Sequence, residues 1–171
     1  MITESNLKVC QFNCFALNPR TEQVRDFMLS NDIDFLAMNE LKVSEEKSNE
    51  LLNSVLANFN VVIKTRQKNN DCGGGVAIIF KKSIVCTELD CFDYLVLELV
   101  AVEAETSIGT VAIIAYYNPP PRKLNKKLFH EVEKRFRNFI ICGDLNAHSE
   151  CLGIKKNKQF WANSRKSVSV N

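Results

Sequence analysis

The 171 residues, 46% hydrophobic and 25% charged, suit one globular domain with a sizeable core. The net charge of +2 allows nucleic-acid binding through a local patch without demanding it. No basic segment followed by an apolar stretch opens the chain, and no apolar run could span a bilayer. A secreted or membrane-spanning protein is therefore not expected, and the nucleus or cytoplasm is.

Leu7 to Phe12 alternates apolar and polar residues and reads as a strand ending at Asn13. Pro19-Arg20-Thr21 opens a helix with Val24, Phe27 and Met28 on its apolar face, closed by Asn31-Asp32. Ile33 to Met38 is a second strand, ending at Asn39-Glu40. Ser44 to Ala57 is expected to be a second helix, with Ser44 as N-cap, and Phe59 to Arg66 a third strand. This alternation is that of a layered α/β fold.

The character then changes. A polar, glycine-rich loop, 68–75, leads into Val76 to Phe80, Ile84 to Glu88, Tyr94 to Glu105 and Thr110 to Tyr116. These read as four successive strands without helices between them, hence antiparallel. Asn118-Pro119-Pro120-Pro121 ends that run. Leu124, Leu128, Val132 and Phe136 mark a third helix, which feeds a buried strand, Phe139 to Cys142.

That strand stops at Gly143-Asp144. Asp144, Asn146 and His148 follow at a spacing of two, so an extended backbone would send all three side chains to the same side. The alternative is a strand followed by an Asx-turn, which Asp and Asn favour. After Gly153 the chain turns basic, with Lys155, Lys156, Lys158, Arg165 and Lys166 and no evident core element.

Several motifs fall away on inspection. Gly73 to Gly75 precedes a strand and lacks the Gly-Lys-[Ser/Thr] of a phosphate loop, so it reads as a turn. The seven cysteines include no Cys-x-x-Cys pair, and with two histidines a structural zinc site is not expected. Cys10 and Cys142 read as buried small hydrophobes of a reducing compartment. What remains is a set of strand-end polar residues: Asn13, Glu40, Tyr117, Asp144, Asn146 and His148. Together they suggest one hard-oxygen site. Carboxylate oxygen suits Mg²⁺ or Mn²⁺, which binds few protein ligands and keeps its waters, and such a site fits phosphoryl chemistry.

Five stretches in order carry a resemblance. They are Leu7 to Asn13, Asp34 to Glu40, Gly74-Gly75-Val76-Ala77-Ile78, Ala115-Tyr116-Tyr117-Asn118-Pro119-Pro120 and Ile141-Cys142-Gly143-Asp144-Leu145-Asn146-Ala147-His148. The set is similar to the endonuclease/exonuclease/phosphatase superfamily, and most similar to the apurinic-type endonuclease domain of non-LTR retrotransposons. The resemblance implies a four-layer α/β/β/α sandwich and Mg²⁺-dependent (or Mn²⁺-dependent) cleavage of DNA. It also implies a fused or downstream reverse transcriptase, primed by the nick, in a longer parent protein. It gives Glu40 as metal ligand with Asn13 supporting the metal, Tyr117 on the scissile phosphate and Asp144 on the attacking water. Asn146 would hold a phosphate oxygen, while Lys42 and His148 would touch the DNA backbone. The family's catalytic histidine belongs to a later motif, absent here along with the closing strands. The expectation is thus a partial domain over 1–153 with a basic tail over 154–171 that is open to disorder, and impaired activity. An inactive remnant or weak DNA-backbone binder is the competing reading, and a phosphoesterase acting on lipid or nucleotide phosphates is a third.

Overall fold

The computed structural model describes residues 7–44, 46–48, 58–66, 74–106 and 109–146. The first sheet contains β1 (Val9–Asn13), β2 (Phe35–Asn39), β3 (Phe59–Lys64) and β4 (Val76–Lys81), in the order β1-β2-β4-β3. The second contains β5 (Cys86–Glu88), β6 (Glu98–Thr106), β7 (Gly109–Tyr117) and β8 (Phe139–Cys142), in sequence order. β1 is parallel to β2, and β7 is parallel to β8; all other neighbours are antiparallel.

The expected run of four antiparallel strands is divided between the sheets. β4 inserts between β2 and β3, antiparallel to both, and only β5 onward forms the meander. The alternation of polarity could not show this, because both faces of β4 are buried and its sequence is an uninterrupted apolar run.

Two helices that lie wholly within the described residues cover the outer faces. α1 (Thr21–Ser30) follows a 3-10 turn, Asn18–Arg20, and places Val24 and Met28 against Leu36, Met38, Ala77 and Ile79 of the first sheet. α2 (Lys126–Arg135) is capped by Asn125, whose side chain accepts from the Lys127 and Leu128 N–H groups. It seats Leu128 and Val132 on Leu99, Ala101, Ile114 and Tyr116 of the second sheet. The helix expected over Ser44 to Ala57 falls largely outside the described residues. Its start is visible, with residues 46–48 helical and the Ser44 hydroxyl 3.4 Å from the Lys47 N–H that it accepts.

The inner faces meet in a core of Phe35, Ala37, Val76, Ile78 and Phe80 against Val100, Val102, Val111, Ile113, Ala115 and Tyr117. The arrangement is the α/β/β/α sandwich. Strand alternation decides the fate of the paired tyrosines: Tyr116 packs outward under α2, and Tyr117 points between the sheets. The five described cysteines are free thiols. Cys10 and Cys142, expected to be buried, are only partly so and pack against the core from its margin. Burial still pushes the Cys142 thiol up to about 11.

Candidate active site at the strand ends

The C-terminal ends of β1, β2, β7 and β8 come together at one end of the sandwich. Asn13 is the last residue of β1, Glu40 follows β2, Tyr117 ends β7 and Asp144 lies two residues past β8. The Asn13 side-chain amide donates to Glu40 Oε1 at 3.0 Å and lies 3.4 Å from Asp144 Oδ2. The Tyr117 hydroxyl donates to the same Glu40 oxygen at 3.2 Å. The other Glu40 oxygen faces the Lys42 ammonium at 3.3 Å.

Glu40 is held between opposing effects. Burial acts to raise its carboxyl pKa, but the hydrogen bonds from Asn13, Lys42 and Tyr117 and the charge of Lys42 outweigh it and keep the group below the ordinary value. Burial and the neighbouring Glu40 and Asp144 charges push the Tyr117 phenol up to about 12, so it stays a hydrogen-bond donor at neutral pH.

The loop after β8 departs from the extended row that the spacing suggests. Gly143 has φ +148° and Asn146 φ +44°, so the backbone turns instead of continuing. The Asn146 N–H donates to Asp144 Oδ1 at 3.2 Å, which is the Asx-turn alternative. The Asp144 carboxylate thus shapes the loop with one oxygen and faces Asn13 with the other. The Asn146 amide donates to the Asn118 carbonyl at 3.1 Å. His148 lies outside the described residues.

Sequence reasoning passed over two residues that build this site. Asn118 is 3% exposed and clasps β7 to the β8 loop. Its side-chain amide donates to the Arg122 and Leu145 carbonyls at 3.0 Å each, and its backbone N–H donates to the Asp144 carbonyl at 3.0 Å. Arg66 lies with its guanidinium 5.8 Å from the Tyr117 ring centroid and is paired to Glu98. The only available signal for Asn118 was its place between Tyr117 and the proline run. Nothing local pointed to Arg66.

Left-handed backbone concentrates here. Of the non-glycine residues with positive φ, Phe15 (56°), Glu40 (56°), Lys42 (50°) and Asn146 (44°) all belong to this rim. Such conformations cost roughly 1–3 kcal/mol each and persist where surrounding structure imposes them. A cavity of about 290 Å³ lies elsewhere, lined by Met28, Leu29, Asp32, Phe59 and Lys81 near the opposite strand ends.

The sequence model of the Endonuclease/Exonuclease/phosphatase family matches residues 10–160. The chain belongs to this family. A relative in Drosophila melanogaster, the RNA-directed DNA polymerase from mobile element jockey, is 25% identical over 149 residues. That match covers 85% of the chain and 15% of the relative, so the chain spans a small part of the relative's length. The endonuclease domain of TRAS1, a telomere-specific non-LTR retrotransposon, shares the fold with TM-score 0.63 and 17% identity, over 90% of this chain and 67% of that one. An AP endonuclease from Archaeoglobus fulgidus superposes with TM-score 0.55 and 22% identity, over 82% of this chain and 57% of that one. The family assignment agrees with the ordered stretches that carried the resemblance, and the sandwich is the expected one. Among the described residues, no helix is long and apolar enough to cross a membrane.

Proposed function

We propose that the chain hydrolyses phosphodiesters of DNA at this rim, as an endonuclease of the non-LTR retrotransposon type. The observation that carries the reading is the hydrogen-bonded series Tyr117–Glu40–Asn13–Asp144, drawn from four strand ends in two sheets.

The donor set fits a hard divalent cation. Glu40 and Asp144 supply carboxylate oxygens, and no group of three His, Cys, Asp or Glu side chains converges among the described residues. That suits Mg²⁺ or Mn²⁺, which take one or two carboxylates and retain water, and does not suit zinc. Glu40 would hold the ion with Asn13 beside it. The bound ion would neutralise charge developing on the phosphate.

The chain's own groups supply the rest. The Tyr117 hydroxyl, protonated at neutral pH, donates a hydrogen bond to a phosphate oxygen or keeps Glu40 in place. The Asp144 carboxylate orients the attacking water and accepts its proton. Asn146 holds a phosphate oxygen with the amide hydrogen not given to Asn118, and Lys42 meets the DNA backbone, as does His148. The similarity to the jockey polymerase motivates a further step, in which the nick primes reverse transcription by a polymerase of the same parent protein.

A second reading, backbone binding without turnover, is favoured by one feature: the Lys42 ammonium already neutralises the Glu40 oxygen that would face a metal. One experiment separates the two. Supercoiled plasmid is incubated with the purified chain or with Asp144→Ala, in Mg²⁺ and in Mn²⁺. Nicking that is lost in the variant supports hydrolysis. Salt-sensitive binding by both proteins without nicking supports the second reading.

A further inference from the structure

Beside the carboxylates stands a residue that neither reading uses. Phe15 follows β1 by two positions and is 62% exposed, the most exposed phenylalanine of the described residues. Its backbone φ is +56°, a conformation that a bulky side chain rarely adopts and that glycine or asparagine would adopt more readily. The strain is imposed locally: the Phe15 N–H donates to Asn13 Oδ1 at 3.1 Å, the same Asn13 whose amide nitrogen bonds Glu40. Burial of the ring does not compensate for this strain, because the ring lies in solvent. A solvent-exposed aromatic in a strained conformation is what a binding surface, and not a core, requires.

The ring is also tied to the site by a cation. The Lys42 ammonium lies 3.5 Å from the Phe15 ring centroid and 3.3 Å from Glu40 Oε2. Ring and carboxylate therefore share one nitrogen as neighbour, which places the ring centroid within about 7 Å of Glu40 Oε2 and beside any phosphate that Glu40 engages. Lys42 covers part of one ring face with positive charge, which disfavours a cationic partner and suits a polyanion carrying flat, neutral π-systems.

Resting on the endonuclease reading, we infer that Phe15 is a stacking platform for an unpaired nucleobase next to the scissile phosphate. The substrate class is then DNA with a base free to leave the helix stack: a bulge, a flap or a single-stranded junction. Within a fully paired duplex the neighbouring bases already occupy both faces, so Phe15 contributes only when a base is free.

The test uses the full chain in EDTA, so that binding is read without cleavage. Two short duplexes of one sequence are compared, one fully paired and one carrying a single extrahelical 2-aminopurine. Wild type is expected to bind the bulged duplex about ten-fold or more tightly than the paired one, with quenching of the 2-aminopurine fluorescence. Phe15→Gly, which relieves the strained φ and so should fold, is expected to lose both the preference and the quenching. Phe15→Asn, also at ease at that φ, should do the same, and Phe15→Trp should retain both. A Phe15→Gly chain that keeps the wild-type preference and quenching overturns the inference. If plasmid nicking in Mg²⁺ is meanwhile abolished by Asp144→Ala, the endonuclease reading survives that failure. Wild type that binds both duplexes equally, or neither, likewise overturns the inference, and the endonuclease reading is then decided by the plasmid assay alone.

Discussion

Glu98 clamps Arg66 with one carboxylate oxygen and the glycine turn with the other. Arg66 Nε donates to Glu98 Oε1 at 2.7 Å, and Glu98 Oε2 accepts the Gly75 N–H at 3.2 Å. Gly74, at φ +84°, passes so close that a Cβ would stand 2.5 Å from Glu98 Oε2 and 2.7 Å from Arg66 Cζ. Gly74→Ala therefore has to displace the ends of both side chains as well as strain the backbone, and we expect it to cost about 1–3 kcal/mol in urea unfolding. Glu98→Ala leaves a cation that is 29% exposed without its partner. We expect about 2 kcal/mol, less than the roughly 3–5 kcal/mol of a fully buried pair.

Gly143 and Gly109 offer an internal comparison. Both have positive φ, at +148° and +102°, but a Cβ on Gly143 would overlap the Tyr116 carbonyl, whereas one on Gly109 meets nothing. Gly109→Ala should cost about 1–2 kcal/mol from backbone strain alone. Gly143→Ala should cost at least about 3 kcal/mol, because the obstacle is backbone and cannot rotate away. Thermal denaturation of the two variants side by side reads the difference.

Tyr117→Phe removes a hydroxyl that touches Glu40 while keeping the ring in the inner core. Stability should fall by about 1 kcal/mol or less. Plasmid nicking should fall by about 10²–10³-fold, the usual cost of one preorganised donor. A variant that nicks at the wild-type rate would remove Tyr117 from the chemistry.

Asn118→Ala should be costlier to the fold. It strands the carbonyls of Arg122 and Leu145 and removes the acceptor of the Tyr116 hydroxyl. We expect a loss of about 2–4 kcal/mol, together with broadened or shifted NMR amide resonances for Asp144 and Asn146.

Lys81 sets a pH window at the opposite end of the sandwich. Burial acts to lower its pKa, but hydrogen bonds to Asp32 and Asp34 and their charges outweigh this and raise it above the ordinary 10.5. Its contribution to stability is therefore full below pH 10.5 and is lost as pH rises through the higher folded value. Asp32 is shifted the other way, held below 3.8 by the hydrogen bond from Lys81 and then by its charge, so its share is lost as pH falls through that lower value. Lys81→Met should lower the urea midpoint by a constant amount between these limits, with the gap to wild type closing beyond each.

Most strands were legible to within about two residues because the central strands bury both faces, which leaves long apolar, β-branched runs. β6, expected from Tyr94, begins only at Glu98, because Asp93–Leu95 form a 3-10 turn that an apolar run does not reveal. Glu40, Tyr117 and Asp144 were legible for a related reason, as polar groups where such runs stop. The partition of strands between sheets was not, since β4 pairs with β2 and β3 through backbone groups that every residue carries. The Asp144–Asn146 turn was open to either reading, and the left-handed Asn146 decided it. Arg66 and Glu98 are 32 residues apart, and neither belongs to any local pattern.

Asn13 and Asp144 are separated by 131 positions in sequence, yet one amide hydrogen bond spans them. A contact of such high order closes late, after the entropy of a long loop has been overcome. During synthesis, the first sheet can be complete while Asp144 is still within the ribosome. The Glu40–Asn13–Asp144 series is therefore completed only as the second sheet docks on the first, and the proposed hydrolytic site is assembled at that step.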